Sequence, residues 1–418
     1  MVAGFCHGHE AACSGCARRT VAKVRLAKAC ALDGAWRTEP GTLVHPKRHR
    51  RTRFEYALFF CIRGNAGDRF QITSGPGQRL DRLPLRVSQH MGAQIPGRSR
   101  TLVTHRTTIG LNIMKLAYFD DFKLGVVVGE HIVDVSSIVS EIPHLEAQDL
   151  MGGLIERFDD YRGRLEAAIN SETGIAIDTV RLRPPVPRPT NIVCMAVNYM
   201  EDGTRDAPAP INAFQKTRGS IIGNADTMIL PDMPASIFEG EAEVALVIGK
   251  RACNVSEADA MDHVFGYMNF IDGSARGVPA FYQMKARETF APTGPYLVTA
   301  DEIDDPQALQ VRLWNNGVLR QDFNTSDMAH KIPKVISWVS SIHCLEPGDI
   351  LATGTNHRGL HAFQDGALIE LEADGLGRLI FNVRYDLKRT WPQHSRLEHA
   401  ERGLEGQFAV QTGGKYAP

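Results

Sequence analysis

Glu241-Ala242-Glu243-Val244-Ala245-Leu246-Val247-Ile248-Gly249-Lys250 is the stretch on which the fold turns. An aliphatic, β-branched run that closes at a glycine reads as a buried strand. Successive side chains of a strand point to opposite faces, so Glu241 and Glu243 share one. Two carboxylates at the head of an apolar strand are costly to bury unless something positive neutralises them. Two arrangements meet that need. One is an ion-paired strand terminus. The other is a divalent cation held by oxygens, for which Mg²⁺, Mn²⁺ or Ca²⁺ is better suited than Zn²⁺.

Outward from this strand the pattern is mainly β with some α, an α+β class. Toward the C-terminus, apolar runs at Gly266–Asp272, Tyr296–Val298, Val311–Trp314, Ile350–Ala352 and Leu368–Leu371 are punctuated by Gly and Pro. One helix is expected from Lys331 to Ile342, with Ile332, Val335, Ile336, Val339 and Ile342 on a single face. Upstream, Ile192–Val197 reads as a strand, and Arg183-Pro184-Pro185-Val186-Pro187-Arg188-Pro189 as a stiff linker. Residues 145–170 read as helical, and 114–136 as a small β-meander.

The chain has 418 residues and a formal net charge of −1. That near-neutrality hides a break: residues 1–113 hold 19 Lys+Arg against 6 Asp+Glu, and the remainder 28 against 42. We expect Met114 to be the true start, with 1–113 a mis-called or disordered basic extension. The organisation expected is therefore 1–113 extension, 114–185 small β-rich domain, 190–395 catalytic domain and 396–418 tail. Few aromatics interleave with the leader's charges and no nucleic-acid module is present, so no nucleic-acid partner is expected. Nor is a membrane partner, because the longest apolar run, Tyr56–Ile62, is far short of the ~18 residues a span needs. Five of the eight cysteines lie in the leader, where Cys13-x-x-Cys16 lacks a second zinc half-site. Cys194, Cys253 and Cys344 are spread through the body with no disulfide framework, which suits a reducing cytoplasm.

Further motifs follow the glutamate pair. Gly266-Tyr267-Met268-Asn269-Phe270-Ile271-Asp272 is a second apolar strand ending in an acid, and Asp272 completes a three-oxygen face. Lys285 comes next, followed by Pro292-Thr293-Gly294-Pro295. Pro347-Gly348-Asp349 leads into Thr353-Gly354-Thr355, a turn able to hold an anion through backbone N–H groups and a hydroxyl. With Asn198-Tyr199, Phe214-x-Lys216, Asn316-Gly317-x-x-Arg320-Gln321 and Asn324-Thr325-Ser326-Asp327-Met328, these pieces stand in an order that resembles the fumarylacetoacetate hydrolase family.

The resemblance implies a mixed β-roll preceded by a small N-terminal β domain, usually in a homodimer. It implies a Mg²⁺ or Mn²⁺ site with Glu241, Glu243 and Asp272 as ligands. Lys285 would stand beside the reacting oxygen, Thr355 on a substrate carboxylate, and Tyr199, Lys216, Arg320 and Gln321 around the substrate. Family substrates are 2-oxo or 1,3-dicarbonyl acids, and a metal-stabilised enolate serves C–C hydrolysis, isomerisation, tautomerisation and decarboxylation alike. Branches of the family work in aromatic catabolism, including 2-hydroxyhepta-2,4-diene-1,7-dioate isomerases. A homologue that keeps the metal and carboxylate sites without turnover is the other reading.

The chain departs from the family pattern twice. The family's hydrolases carry a His and an acid after Asn-Tyr; here those positions hold Asp202 and Arg205. The missing pair tilts the expectation toward isomerase, tautomerase or decarboxylase chemistry. After Thr353-Gly354-Thr355 comes Asn356-His357-Arg358 in place of the usual Pro. His357 is then a candidate titrating group, with Asp202 and Glu201 as alternatives, since imidazole is the side chain that changes charge nearest neutral pH. Arg358 is a candidate partner for a second substrate carboxylate.

Overall fold

The computed structural model describes residues 114–417. The expectations about a basic extension, its start site and its cysteines fall on residues 1–113, outside the described residues.

Among the described residues the strands gather into a twelve-stranded and a five-stranded sheet. The 11-residue strand Phe238–Ile248 is buried at every position. It pairs antiparallel with Val264–Ala275 on one side and with Ile350–Ala352 on the other. Beyond Val264–Ala275 lies Ala291–Thr299, and beyond that the meander Lys115–Phe119, Lys123–Val128 and His131–Asp134. The meander expected at 114–136 is therefore present, and it continues the large sheet: Lys115 lies opposite Val298 and Leu116 opposite Leu297. On the other side, Ile350–Ala352 runs parallel to Ile192–Met195.

Period two explains the layering. Ala242, Val244, Leu246 and Ile248 join a core with Val311, Leu313, Ile369, Leu371, Leu379 and Phe381 of the five-stranded sheet. Ala245 and Val247 face the opposite core, with Leu150, Leu154 and Leu165 of the helices Ala147–Glu156 and Phe158–Ser171. A strand covered on both faces must be apolar throughout, and this one is, apart from its acids. The Ile332–Ile342 helix buries Ile332, Val335, Ile336 and Val339, as its spacing predicts. Ile342, placed on the same face in sequence, is instead 62% exposed at the helix end.

Two expectations are corrected. Pro184, Pro185 and Val186 are buried, so the proline run packs against the body and does not stand free. Cys253 and Cys344 are joined in a disulfide, their Cα atoms 4.4 Å apart across 91 residues of sequence. Sequence spacing could not show this, because the antiparallel bridge between Ala252 and Leu345 is what sets them side by side. Cys194 is free and buried. No helix among the described residues is long and apolar enough to cross a membrane.

Candidate active site

The register of the two long strands builds the acidic centre. Glu241 lies directly opposite Asp272, so their side chains share a face, and Glu243 is two residues along on that same face. Carboxylate oxygens of all three lie within 4.8 Å of one another, and all three residues are buried.

Such crowding dictates the protonation states. Burial opposes ionisation of Glu241, but Lys285 and Arg276 hold its carboxyl well below the usual range. Burial and the charges of Asp272 and Glu241 push Glu243 well above it. The Lys285 Nζ donates to Glu241 Oε1 at 2.7 Å and also to Asp272 Oδ2. Burial works against its charge, yet those two carboxylates raise its pKa. Glu243 Oε2 accepts the backbone N–H of Gly354 at 2.7 Å, whereas its Oε1 is buried without a partner. An orphaned carboxylate oxygen facing two other carboxylates is what a hard cation with oxygen ligands would satisfy. The residues therefore fit a divalent metal.

Each expected site residue can be placed around this centre. Lys216 is buried, and its Nζ donates to Asp272 Oδ1 at 2.5 Å and to the carbonyls of Gly273 and Lys285, so its donors serve the acidic centre. Gln321 is also enclosed, donating to Thr355 Oγ1 at 2.9 Å and accepting from Ala242 N. Tyr199 is fully buried against Phe323, its hydroxyl without a hydrogen-bond partner. Arg320 reaches Glu398 at 3.6 Å. Asp202 is half exposed and pairs with Arg358 at 3.1 Å.

Glu201 and His357 meet although 156 residues separate them. His357 Nδ1 lies 2.6 Å from Glu201 Oε1, and the His357 backbone N–H donates to Oε2 at 2.8 Å. Burial would raise the Glu201 carboxyl, but the hydrogen bonds and charge of His357, together with the charge of Arg205, outweigh it and hold the carboxyl below the usual range. Glu201, Asp202 and Gly203 all have positive φ (56°, 55° and 77°), the tight turn that lifts Glu201 toward His357. Both residues line a cavity of about 770 Å³, which Arg276 also enters. Arg276 lines this cavity and also contacts Glu241, so its guanidinium stands between the acidic centre and the space that the imidazole faces.

Sequence reasoning missed Arg276 and Glu239. Arg276 donates to Glu239 Oε2 at 2.8 Å and also holds Glu241. Period two could have found both, since 239-241-243 and 272-274-276 each run along one face of adjacent strands.

Residues 191–384 match the family described as fumarylacetoacetate (FAA) hydrolase C-terminal. The maleylpyruvate hydrolase of Aquipseudomonas alcaligenes is 31% identical over 288 residues, 65% of this chain and 99% of the relative. The mitochondrial oxaloacetate tautomerase fahd2 of Xenopus laevis is 30% identical, over 71% of this chain and 97% of its own. A crystal structure of maleylpyruvate hydrolase from Sphingobium sp. SYK-6 in complex with manganese(II) ion and pyruvate is 36% identical, with a TM-score of 0.60, covering 65% of this chain and 99% of that one. The chain belongs to the fumarylacetoacetate hydrolase family. It is a metal-dependent enzyme of the hydrolase and isomerase kind.

Proposed function

We propose that this chain hydrolyses a carbon–carbon bond in a 1,3-dicarbonyl acid of the acylpyruvate type, with His357 as general base and Glu201 as the carboxylate that orients it. The Glu201–His357 pair carries the reading. Nδ1 faces a carboxylate at 2.6 Å, which places the ring proton there and leaves Nε2 with a lone pair at the cavity. This pair stands in for the His and acid that are absent at positions 202 and 205. The likeness to two maleylpyruvate hydrolases supports the same reading.

In this scheme His357 Nε2 takes a proton from water as the oxygen adds to the acyl carbonyl carbon. The bond from that carbon to the methylene breaks, and its electron pair passes into the enolate of the pyruvate half. The imidazolium then returns its proton to the methylene carbon, so the products are a carboxylic acid and pyruvate. Thr355, braced by Gln321, offers its hydroxyl to the substrate carboxylate. Lys285 adds positive charge beside the reacting oxygen. Mg²⁺ or Mn²⁺ held by Glu241, Glu243 and Asp272 supplies Lewis-acid stabilisation of the oxygen that turns negative.

A second reading is keto–enol tautomerisation, in which the same imidazole moves a C–H proton and no water is consumed. The likeness to an oxaloacetate tautomerase favours it. Full-length chain with Mn²⁺ or Mg²⁺, offered maleylpyruvate and enol-oxaloacetate and followed by NMR, separates the two by product. His357→Gln is expected to lower kcat by about 100-fold. Unchanged turnover would exclude His357 from the chemistry.

The proposal also carries a homodimer and a place in aromatic catabolism, both implied by the family resemblance, and a cytoplasmic setting, which the sparse cysteines of the body suggest. Exposed Phe281 (41%) and Tyr282 (73%) on one short helix support self-association, which sedimentation measures. The Cys253–Cys344 bridge is the one observation that weighs against that setting, and thiol counting on freshly isolated protein decides: free thiols keep the cytoplasmic reading and an intact bridge overturns it.

A further inference from the structure

One wall of the cavity comes from outside the segment that matches the family. Arg396, Leu397, Ala400 and Phe408 all line it, and all follow residue 384. This segment is firmly seated. Ser395 and Glu398 form a reciprocal capping box at the start of the Arg396–Glu401 helix. The Arg396 backbone N–H donates to Leu360 O at 2.8 Å, and His399 is buried, with Nε2 2.9 Å from Glu405 O.

The charge balance at this wall is uneven. Buried Glu239 lies between two guanidinium groups, taking Arg276 on Oε2 and Arg396 on both oxygens. Arg276's remaining charge-assisted bond goes to Glu241, which belongs to the metal-binding face. Once Glu241 is committed to a cation, one carboxylate is left for two guanidiniums, an excess of one positive charge at the cavity. Elsewhere on the lining the charges cancel: Arg358 has Asp202, and Arg205 has Glu201. Among the described residues Arg396 bonds through Nε and Nη2, so Nη1 is left to the cavity. Leu397, Ala400 and Phe408 add apolar surface beside it.

We infer that Arg396 and the wall it belongs to select substrates that carry a second carboxylate at the end of a hydrocarbon chain, so that the enzyme discriminates dianions from monoanions at the end remote from the 2-oxo acid. This rests on the 2-oxo acid reading above. A guanidinium paired with a planar carboxylate in a partly dry site gives directional, charge-assisted bonds.

Calorimetry on the Mn²⁺-loaded full chain, with 2-oxoglutarate and 2-oxopentanoate as probes, tests it, because the two differ only in the terminal carboxylate. 2-Oxoglutarate is expected to bind about tenfold more tightly, and Arg396→Gln to bring the two within about twofold. Ala400→Glu, at an exposed position on the same wall, is expected to weaken 2-oxoglutarate selectively without touching Glu239. Equal affinities in the unaltered protein, binding of neither probe, or a preference that survives both substitutions would overturn the inference. Selective binding without turnover of any 1,3-dicarbonyl acid would sink the hydrolase reading and spare this one.

Discussion

His361 shows how far one buried side chain can govern behaviour. It is 2% exposed; Asn315 Nδ2 lies 3.0 Å from its Nε2, and Gly359 O lies 3.3 Å from its Nδ1. The ring is thus held as the neutral tautomer with its proton on Nδ1. Burial drives its pKa down to about 4. In the unfolded chain a histidine takes up its proton near pH ~6.5. Between these values the unfolded state binds the extra proton, so its contribution is complete above the upper value and is lost as pH falls toward the lower. We predict a loss of roughly 3 kcal/mol from this group between pH 7.5 and 4, and a flatter profile for His361→Gln, both measured by urea unfolding across that range.

At the level of elements, the contact of the two long strands with the loop beneath them leaves no room for side chains at certain positions. A Cβ on Gly240 would lie 2.3 Å from the ring carbons of Phe363. Gly240→Ala is therefore expected to cost about 1–3 kcal/mol in chemical denaturation and to displace Glu239 and Glu241, which flank it. An unchanged midpoint would show that Phe363 can swing aside. Much of the element structure was legible, because the strand of Glu241 and the helix after Lys331 announce themselves by local period. The meander at 114–136 was legible for the same reason. What that period cannot state is which strand lies next to which. Asp272 was legible as a third acid that completes the oxygen face, but its register opposite Glu241 was not, and the Cys253–Cys344 pair was not foreseen at all.

For the whole molecule, the acidic centre is a stability element as much as a chemical one. Three buried carboxylates face Lys285, Lys216 and Arg276, and Glu243 keeps an unpartnered oxygen. A cation that binds the folded chain alone stabilises it by mass action, by about 2.7 kcal/mol at a hundred times its Kd. Thermal unfolding is therefore expected to shift upward with Mn²⁺ and back with chelator. Glu243→Gln should abolish the shift while relieving like-charge crowding in metal-free protein. A metal-independent melting temperature in the unaltered protein would place the cation elsewhere.

The sequence alone determined the β-rich body, the two glutamates on one face, the third acid and the family pattern, because those depend on residue type and on contacts a few positions apart. Only the tertiary structure decided that Glu201 meets His357, that Arg276 and Arg396 share Glu239, and that Cys253 meets Cys344. Each of those pairs joins residues dozens to more than a hundred and fifty positions apart, brought together by sheet register and loop closure, for which no local spacing carries a signature.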